Sequence, residues 1–250
     1  MLQFIWLYLW HITLVPFVLV VTKPFHIWTW HTYAEHIINN IFSIRTTLTH
    51  DEPLIACGYI LANHRSWTDF VFDPCIADSC VVGRRLAFIM MNFSACLGIL
   101  DGIIISFIRG KETREKLFAR IKSHIEHNIT TKRVLFWPEG TRMKYTHLSS
   151  ADELKTYLKY GMLKCIYEDK TYPVQLQISN NKEHVVNEKK WIVNYGTLVH
   201  THHSKSIHPK DFKTDTEFYD EIAKVWYECW VKTHANQGTV GSRPLRGQLR

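Results

Sequence analysis

The sequence predicts an α/β fold with a mixed, mostly parallel central sheet flanked by helices, preceded by an N-terminal membrane-anchoring helical segment. Between residues 54 and 178, short apolar or β-branched runs alternate with longer amphipathic runs. A helix between two strands is the pattern of parallel sheets with crossover connections. The first 21 residues are almost wholly apolar, and a length of 250 residues suits one domain with an appendage.

Composition narrows the class of partner. The net charge of +7 favours anionic partners, such as an anionic membrane surface or a phosphorylated substrate. The basic residues are spread along the chain, whereas a nucleic-acid interface needs a continuous basic stripe, so we predict no nucleic-acid partner. The six cysteines lie mostly in apolar segments and form no CxxC pair, which predicts buried thiols rather than a disulfide framework or a zinc site.

The N-terminal run 4–21 provides about 18 mostly apolar residues, just enough for one helix to span a bilayer core. No basic stretch precedes this run and no small-residue cleavage motif follows it, which favours a retained anchor over a removable signal peptide. Lys23 favours a single-pass topology with the rest of the chain on the cytosolic side. A monotopic insertion and an intramolecular helical hairpin are the alternatives.

The chain divides into three predicted regions. Residues 30–45 carry a mixed amphipathic pattern that predicts a helix along the membrane surface, so residues 1–47 are assigned to the anchor and this helix. Residues 48–235 form the predicted α/β domain. Residues 236–250 are polar, basic and glycine-containing, which predicts a disordered tail.

Residues 86–108 form a second long apolar run, similar to a membrane-spanning helix in its hydropathy. Gly98, Asp101 and Gly102 interrupt its middle, and residues 103–108 are rich in β-branched side chains. A spanning helix here would also place His64 and the polar segment 138–142 on opposite sides of the membrane. We therefore predict a buried helix or strand, then a turn, then a core strand.

The remaining elements follow from hydrophobic periodicity. Apolar residues repeat every four positions over 112–129, which predicts a helix, and residues 134–137 predict a short buried strand. Further elements are predicted as a helix over 154–167, strands over 172–178, 191–195 and 197–200, and a last helix with a capping box at 214–217.

The first candidate site is the segment 63–69, NHRSWTD, which directly follows the apolar run 54–61. That run predicts a buried strand, so His64 and Asp69 lie at a strand end, where α/β folds usually carry their chemistry. A carboxylate beside an imidazole fixes its tautomer and stabilises the imidazolium, which suits a general base. A helix N-terminus with a surface histidine is the alternative for this segment alone.

The second candidate site is the segment 136–142, FWPEGTR, which also follows a predicted strand. Gly140 lets the backbone approach a ligand closely. Thr141 offers a hydroxyl, and Arg142 offers a planar fork suited to phosphate. Glu139 is expected to hold Arg142 or to fix the loop through backbone amides. An ordinary polar turn is the alternative for this segment alone.

Together, NHRSWTD and FWPEGTR resemble the paired motifs of the PlsC-type glycerolipid acyltransferases, which include the lysophosphatidic acid acyltransferases. The order and spacing of the two motifs are similar to that family as well. The resemblance covers residues 50–180 and extends more loosely to 235. The family's second motif resembles residues 102–109, with one extra residue and without the usual proline, and its fourth motif is reduced to residues 172–175.

The resemblance implies transfer of a fatty acyl group from acyl-CoA, or from acyl-carrier protein, to the hydroxyl of a phosphate-bearing glycerolipid such as 1-acyl-glycerol-3-phosphate. It implies no bound cofactor and no metal. His64 would be the general base and Asp69 its orienting partner, with no covalent acyl-enzyme. The implied phosphate-binding residues are Glu139, Gly140, Thr141, Arg142 and Arg109.

Several alternatives stay open or are disfavoured. The acceptor could be another lysophospholipid or glycerol-3-phosphate, or the chain could be an inactive membrane-associated relative, although a degenerate copy would be expected to lose His64 or Arg142. A serine hydrolase is disfavoured because no GxSxG motif is present. The histidine-rich segment 200–203 lacks a carboxylate or cysteine at ligand spacing, which favours a solvated loop over a metal site.

Overall fold

A seven-stranded sheet forms the centre of the computed structural model, which describes residues 2–25, 28–143 and 147–235. The strands of the described residues are β1 (Arg45–His50), β2 (Gly58–Ala62), β3 (Cys80–Arg84), β4 (Ile104–Phe107), β5 (Arg133–Phe136), β6 (Val174–Asn180), β7 (Val186–Asn187), β8 (Ile192–Val193) and β9 (Leu198–His203). Their α-helices are α1 (Leu2–Leu7), α2 (Val15–Val21), α3 (Trp30–His36), α4 (Asp69–Ala77), α5 (Arg85–Met90), α6 (Asn92–Leu100), α7 (Arg114–His127), α8 (Ala151–Lys155), α9 (Tyr160–Asp169), α10 (Lys182–Val185) and α11 (Asp215–Ala235). Short π-helical and 3₁₀ segments occupy Tyr8–Leu14, Ile37–Ile41, Lys23–Phe25 and Pro209–Asp211.

The seven strands pair in the order β1-β9-β6-β2-β5-β3-β4. The strands from β6 to β4 are all parallel to one another, β9 joins β6 in antiparallel orientation, and β1 is parallel to β9. The predicted α/β class with a mixed, mostly parallel sheet is therefore confirmed. Strands β7 and β8 form a separate antiparallel pair. Because β2, β5 and β6 are parallel neighbours, their carboxyl ends meet at one edge of the sheet.

Helices cover the sheet on both faces, and each face has its own apolar core. One core includes Trp30 and Tyr33 of α3 and Phe72 of α4. The other core is built from α7, α9 and α11, and includes Ile121 and Trp226. The helix predicted along the membrane surface over 30–45 is corrected in place and length. The helical part consists of α3 and the π-helical segment Ile37–Ile41, and it packs into the core, because Trp30 and Tyr33 are fully buried.

The predicted single-pass anchor over 4–21 is not supported, since no helix among residues 2–25, 28–143 and 147–235 is both long and apolar enough to cross a membrane. Two α-helices, α1 and α2, flank the π-helical turn Tyr8–Leu14 in this region. The π-helical turn packs against α5 and α6: the Tyr8 hydroxyl donates to Met90 O (2.7 Å), and Ser94 Oγ donates to Ile12 O (3.1 Å). The three-region division of the chain stays a prediction, and its tail, 236–250, lies outside the described residues.

The second apolar run contains helices α5 and α6, a turn at 101–102 and strand β4, so the predicted turn and strand are confirmed. The predicted burial of its helical part is wrong at several positions, because Leu86 is 70% exposed and Met90 is 67% exposed. These apolar side chains of α5 face outward, and the α5 backbone contacts the π-helical turn at Met90 O.

Two further expectations are corrected. The helix predicted over 154–167 is divided into α8 and α9, because Lys159 has an extended backbone and its N–H donates to Pro138 O (2.8 Å). The solvated loop predicted at 200–203 is part of the buried strand β9. There, imidazole nitrogens of His200 and His202 contact the Thr47 and Thr49 hydroxyls at 2.5 and 2.8 Å, so cross-strand threonines on β1 satisfy these side chains.

Candidate active site

The two motifs predicted from the sequence meet at the carboxyl edge of the sheet. Strands β2 and β5 are parallel neighbours, with Leu61 opposite Phe136. His64 follows the end of β2 and Glu139 follows the end of β5, so both enter loops on the same side. The two loops are tied together directly, because the Met143 N–H donates to the His64 carbonyl oxygen (2.8 Å).

His64 and Asp69 form a buried dyad. His64 Nδ1 lies 3.0 Å from Asp69 Oδ2, and the Asp69 side chain, at the start of α4, is fully buried. The same oxygen accepts from the backbone N–H groups of Arg65 (2.5 Å) and Ser66 (2.9 Å). An ionised carboxylate can only accept, so His64 Nδ1 carries the proton and Nε2 keeps its lone pair. This is the tautomer that a general base requires.

The charge of Asp69 is maintained despite its burial. Burial acts to raise the pKa of this carboxyl, but the Lys182 ammonium and the His64 hydrogen bond outweigh burial and hold the pKa below its usual value. Lys182 Nζ lies 3.5 Å from Asp69 Oδ1, the oxygen that faces away from His64. Asp69 is therefore ionised at neutral pH and can stabilise an imidazolium.

Aromatic rings fix the plane of the His64 imidazole. The Trp137 ring stacks on it with centroids 4.8 Å apart and an interplanar angle of 25°. Phe70 meets it edge-on, at 5.7 Å and 87°. With Nδ1 bound to Asp69, the ring is restrained in both rotation and tilt. The His64 side chain is 11% exposed, so it keeps a small contact with solvent.

Glu139 supports His64 through the backbone. Its side chain is buried, and Oε2 accepts from the His64 N–H (2.9 Å). Of the two roles expected for Glu139, the structure shows the one through a backbone amide. The next residue, Gly140, has φ +68°, and a Cβ there would lie 3.0 Å from the Lys159 side chain. Glycine is therefore the residue that this turn accommodates best.

The remaining predicted phosphate ligands differ in position. Thr141 is exposed in the loop after Glu139, and the Arg142 guanidinium is half exposed and pairs with Glu188 Oε1. Arg109 is exposed and follows β4, one of the two edge strands of the seven-stranded sheet. It lies at the same edge but three strands from β2, about 14 Å across the sheet at the usual strand spacing. The structure thus brings the segment 139–142 beside His64 and leaves Arg109 apart.

Two site residues escaped the sequence-based prediction, Asp73 and Lys182. Lys182 Nζ binds both Asp73 carboxylate oxygens (2.8 and 2.7 Å) and the Asn63 carbonyl oxygen (2.6 Å). Two signals were present: Asp73 lies one helical turn after Asp69, and polar residues 179–182 follow the predicted strand over 172–178. What the sequence lacked was the order of strands that places β6 beside β2.

No arrangement for a metal is present in the parts of the chain that the structure describes, where no group of three or more His, Cys, Asp or Glu side chains could hold a metal ion. The described loops carry an imidazole, that of His64, and carboxylates, those of Asp69 and Glu139. The cluster combines one oriented imidazole, one ionised carboxylate and a glycine-containing loop that ends in an arginine. Such a set can remove a proton from a hydroxyl bound near a phosphate.

The fold has a counterpart among solved structures. No family model matches the sequence, and no curated protein matches it. The chain is similar to the crystal structure of the 1-acyl-sn-glycerophosphate (LPA) acyltransferase, PlsC, from Thermotoga maritima, with a TM-score of 0.61. The match has 13% sequence identity and covers 96% of this chain and 95% of that chain. At this identity the likeness shows a shared fold.

Proposed function

We propose that this protein is a glycerolipid acyltransferase. It would move a fatty acyl group from acyl-CoA, or from acyl-carrier protein, to the hydroxyl of a phosphate-bearing glycerolipid in phospholipid biosynthesis or remodelling. The favoured acceptor is 1-acyl-glycerol-3-phosphate. The observation that carries the proposal is the His64–Asp69 dyad beside residues 138–142, which we call the PEGTR loop. The shared fold with PlsC supports it.

The chemistry follows from the dyad. His64 Nε2 takes the proton of the acceptor hydroxyl as the oxygen attacks the thioester carbonyl, and Asp69 stabilises the imidazolium that forms. The tetrahedral intermediate collapses by breaking the C–S bond, and the imidazolium returns its proton to the departing thiolate. The products are the ester and the free thiol, with no covalent acyl-enzyme. A positioned general base typically contributes about 10²–10⁴-fold in rate.

The PEGTR loop supplies the positioning. We infer that Gly140, Thr141 and Arg142 bind the acceptor phosphate, with Arg109 as a more distant ligand. Arg142 already presents a half-exposed guanidinium, and an incoming phosphate would compete with Glu188 for it. Anchoring the phosphate near His64 replaces a bimolecular encounter and so lowers the barrier.

A membrane is the proposed source of the acceptor. The described residues expose a set of large apolar side chains on α1, α2, the π-helical turn between them, α5 and α6, which we call the apolar surface. Its most exposed members are Leu2, Trp6, Leu9, Val21, Leu86, Ile89, Met90, Ile99 and Leu100. Together with the net charge of +7, this surface supports monotopic attachment to an anionic membrane.

The deciding experiment is acyl transfer by the purified protein. Labelled acyl-CoA is incubated with lysophosphatidic acid, glycerol-3-phosphate and a set of lysophospholipids, and His64→Ala is compared with the wild type. We expect H64A to abolish transfer while circular dichroism shows an unchanged fold. His127→Ala, at the exposed end of α7, is the control and keeps full activity. Near wild-type transfer by H64A would overturn the mechanism, and silence of the wild type across all acceptors would favour an inactive relative.

A further inference from the structure

Behind the dyad lies a buried ion pair that the proposed mechanism does not use. Asp73 is fully buried and Lys182 is 1% exposed, and Lys182 Nζ bridges both Asp73 oxygens. Lys182 follows the end of β6, whereas Asp73 lies on α4, one turn after Asp69. Removing two charges from water is costly. Replacing a buried ion pair by apolar residues of similar volume often leaves the stability of a protein unchanged or raises it. The pair therefore calls for a role besides stability.

Contacts lead from this pair to His64 along two routes. On one side, Lys182 Nζ lies 3.5 Å from Asp69 Oδ1, and Asp69 Oδ2 holds the His64 Nδ1–H. On the other side, the Trp137 indole Nε1–H donates to Asp73 Oδ2 (2.8 Å), and the Trp137 ring stacks on the imidazole. One route fixes the edge of the imidazole and the other fixes its face.

We propose that Asp73 and Lys182 are a positioning pair that holds the His64 imidazole in its reactive orientation through Asp69 and Trp137 at once. The reaction served by this pair rests on the proposed function, whereas the orientation of the ring does not. Neither residue contacts the reacting atoms. Both set the charge and the geometry of the group that does.

The electrostatics of the cluster support this role. Burial and the neighbouring Asp69 raise the pKa of Asp73 to about 7, although Lys182 opposes them. Burial acts to lower the pKa of Lys182, but Asp69 and Asp73 outweigh burial and raise it, so the ammonium keeps its charge. Other charged or titratable groups lie around the dyad and the pair. Glu139 binds the His64 N–H and its charge acts on Lys182. Arg65 and Glu183 pair with each other, and His203 reaches Asp73 indirectly, through Gln177.

The charges of Lys182 and Asp73 act in opposite senses on the dyad. Lys182→Met removes a positive charge, which makes the His64–Asp69 dyad bind a proton more tightly. Asp73→Asn removes a negative charge and leaves Lys182 facing Asp69 alone, which makes the dyad bind a proton less tightly. The pKa of His64 should therefore rise in K182M and fall in D73N. A role confined to packing predicts no such opposition.

The test combines an NMR titration of the His64 imidazole, identified by its loss in His64→Asn, with the pH dependence of acyl transfer. We expect the acid limb of the kcat profile to move to higher pH in K182M and to lower pH in D73N. We also expect kcat to fall roughly 10- to 100-fold in both while KM changes little, because the misplaced ring affects the chemical step. Lys122→Met removes the lysine of a surface ion pair with Asp169 and should leave the His64 pKa unchanged.

The double variant K182M/D73N keeps the test decisive if K182M alone does not fold. It restores the local charge balance, so the His64 pKa should return toward the wild-type value while kcat stays low. Shifts in opposite directions, or a fall in D73N that the double variant reverses, support the proposal. Shifts in one direction, or none, overturn it. The NMR titration needs no substrate. If the wild type is inactive, the proposed function fails, but the titration still decides whether Asp73 and Lys182 position His64.

Discussion

At the scale of single residues, the state of the site depends on which nitrogen of His64 carries the proton. Asp69 Oδ2 receives the His64 Nδ1–H and two backbone N–H groups, so the backbone holds the carboxylate in position for the imidazole. The adjacent Glu139 receives the His64 backbone N–H. Two buried carboxylates thus orient one residue, one through its ring and one through its backbone.

Asp69→Asn tests the tautomer. Asp69 Oδ2 also accepts the Arg65 and Ser66 N–H groups, so the Asn side chain has two placements. Its NH₂ toward Nδ1 moves the imidazole proton to Nε2 and removes the base, whereas its oxygen toward Nδ1 keeps the tautomer and removes the charge that stabilises the imidazolium. By analogy with other His–carboxylate pairs, we expect kcat to fall by about 10⁴-fold with the fold retained. The measurement is kcat together with the imidazole tautomer from NMR. A loss of less than an order of magnitude, with Nε2 unprotonated, would contradict the assigned role.

Lys182→Met should destabilise the protein in a pH-dependent way. It leaves two buried carboxylates without their ammonium, and breaking such a pair typically costs about 3–5 kcal/mol. The folded-state pKa of Asp73 is raised to about 7, above the ordinary carboxyl value. Below neutral pH, Asp73 therefore binds a proton more tightly in the folded state than in the unfolded state, which stabilises the fold. This stabilisation is lost as pH rises through about 4 to 7.

We accordingly expect the loss of unfolding free energy in K182M to be larger at pH 8 than at pH 5, since protonated Asp73 needs no counter-charge. Urea denaturation at both pH values measures it. Lys122→Met breaks a partly exposed pair with Asp169 and should cost about 1 kcal/mol or less at either pH. A larger loss for K182M at pH 5 than at pH 8 would refute this account.

At the scale of elements, strand β2 leads directly into the first motif and begins at a constrained glycine. Gly58 has φ +132°, and a Cβ there would press against the Pro173 carbonyl oxygen, next to β6. Gly110 also has positive φ, at +80°, but faces open space. The two glycines separate the cost of backbone strain from the cost of a steric clash.

We expect Gly58→Ala to lower the free energy of unfolding by about 3 kcal/mol or more, because strain and clash add. Gly110→Ala should cost about 1–2 kcal/mol from strain alone. Thermal and urea denaturation give both values. Equal losses in the two variants would show that β2 and β6 can move apart freely, against the tight register of the sheet.

Elements whose burial follows their own periodicity were predicted from the sequence. Helix α7 buries Leu117, Ile121 and Ile125 at the predicted spacing, and β5 is a buried apolar run. The errors arose where a partner distant in sequence decides the conformation. The break between α8 and α9 depends on a bond from Lys159 to Pro138, and the burial of β9 depends on threonines of β1.

The candidate site likewise contains residues that local sequence predicts and one residue whose place depends on strand order. His64, Asp69 and Glu139 lie in short motifs, and the structure brings them together. Lys182 lies outside any motif and reaches the dyad only because β6 is paired with β2. Periodicity identifies strands but does not order them, so this residue could not be assigned from the sequence.

At the scale of the whole molecule, the proposed membrane attachment can be tested at the apolar surface. Leu86→Ser/Ile89→Ser removes two of its most exposed side chains. We expect this double variant to weaken binding to anionic phospholipid vesicles by roughly tenfold or more, because each buried side chain contributes about 1.5–3 kcal/mol. Cosedimentation with vesicles measures the effect.

Val231→Ser is the matched control. Val231 is 47% exposed on α11, which packs in the core on the other face of the sheet. Its replacement should leave vesicle binding unchanged. If V231S and the double variant weaken binding equally, attachment does not run through the apolar surface, and the basic charge of the chain becomes the main attraction.

The pairing of β1 with β9 has a consequence for synthesis of the chain. In the described structure β1 has β9 as its sheet partner, although some 150 positions separate Arg45 from Leu198. A nascent chain that has not yet reached residue 198 can assemble β2, β3, β4, β5 and β6, but it leaves β1 with its backbone groups unpaired. Until residue 198 has been synthesised, β1 therefore lacks its sheet partner, and unpaired strand edges of this kind favour aggregation during folding.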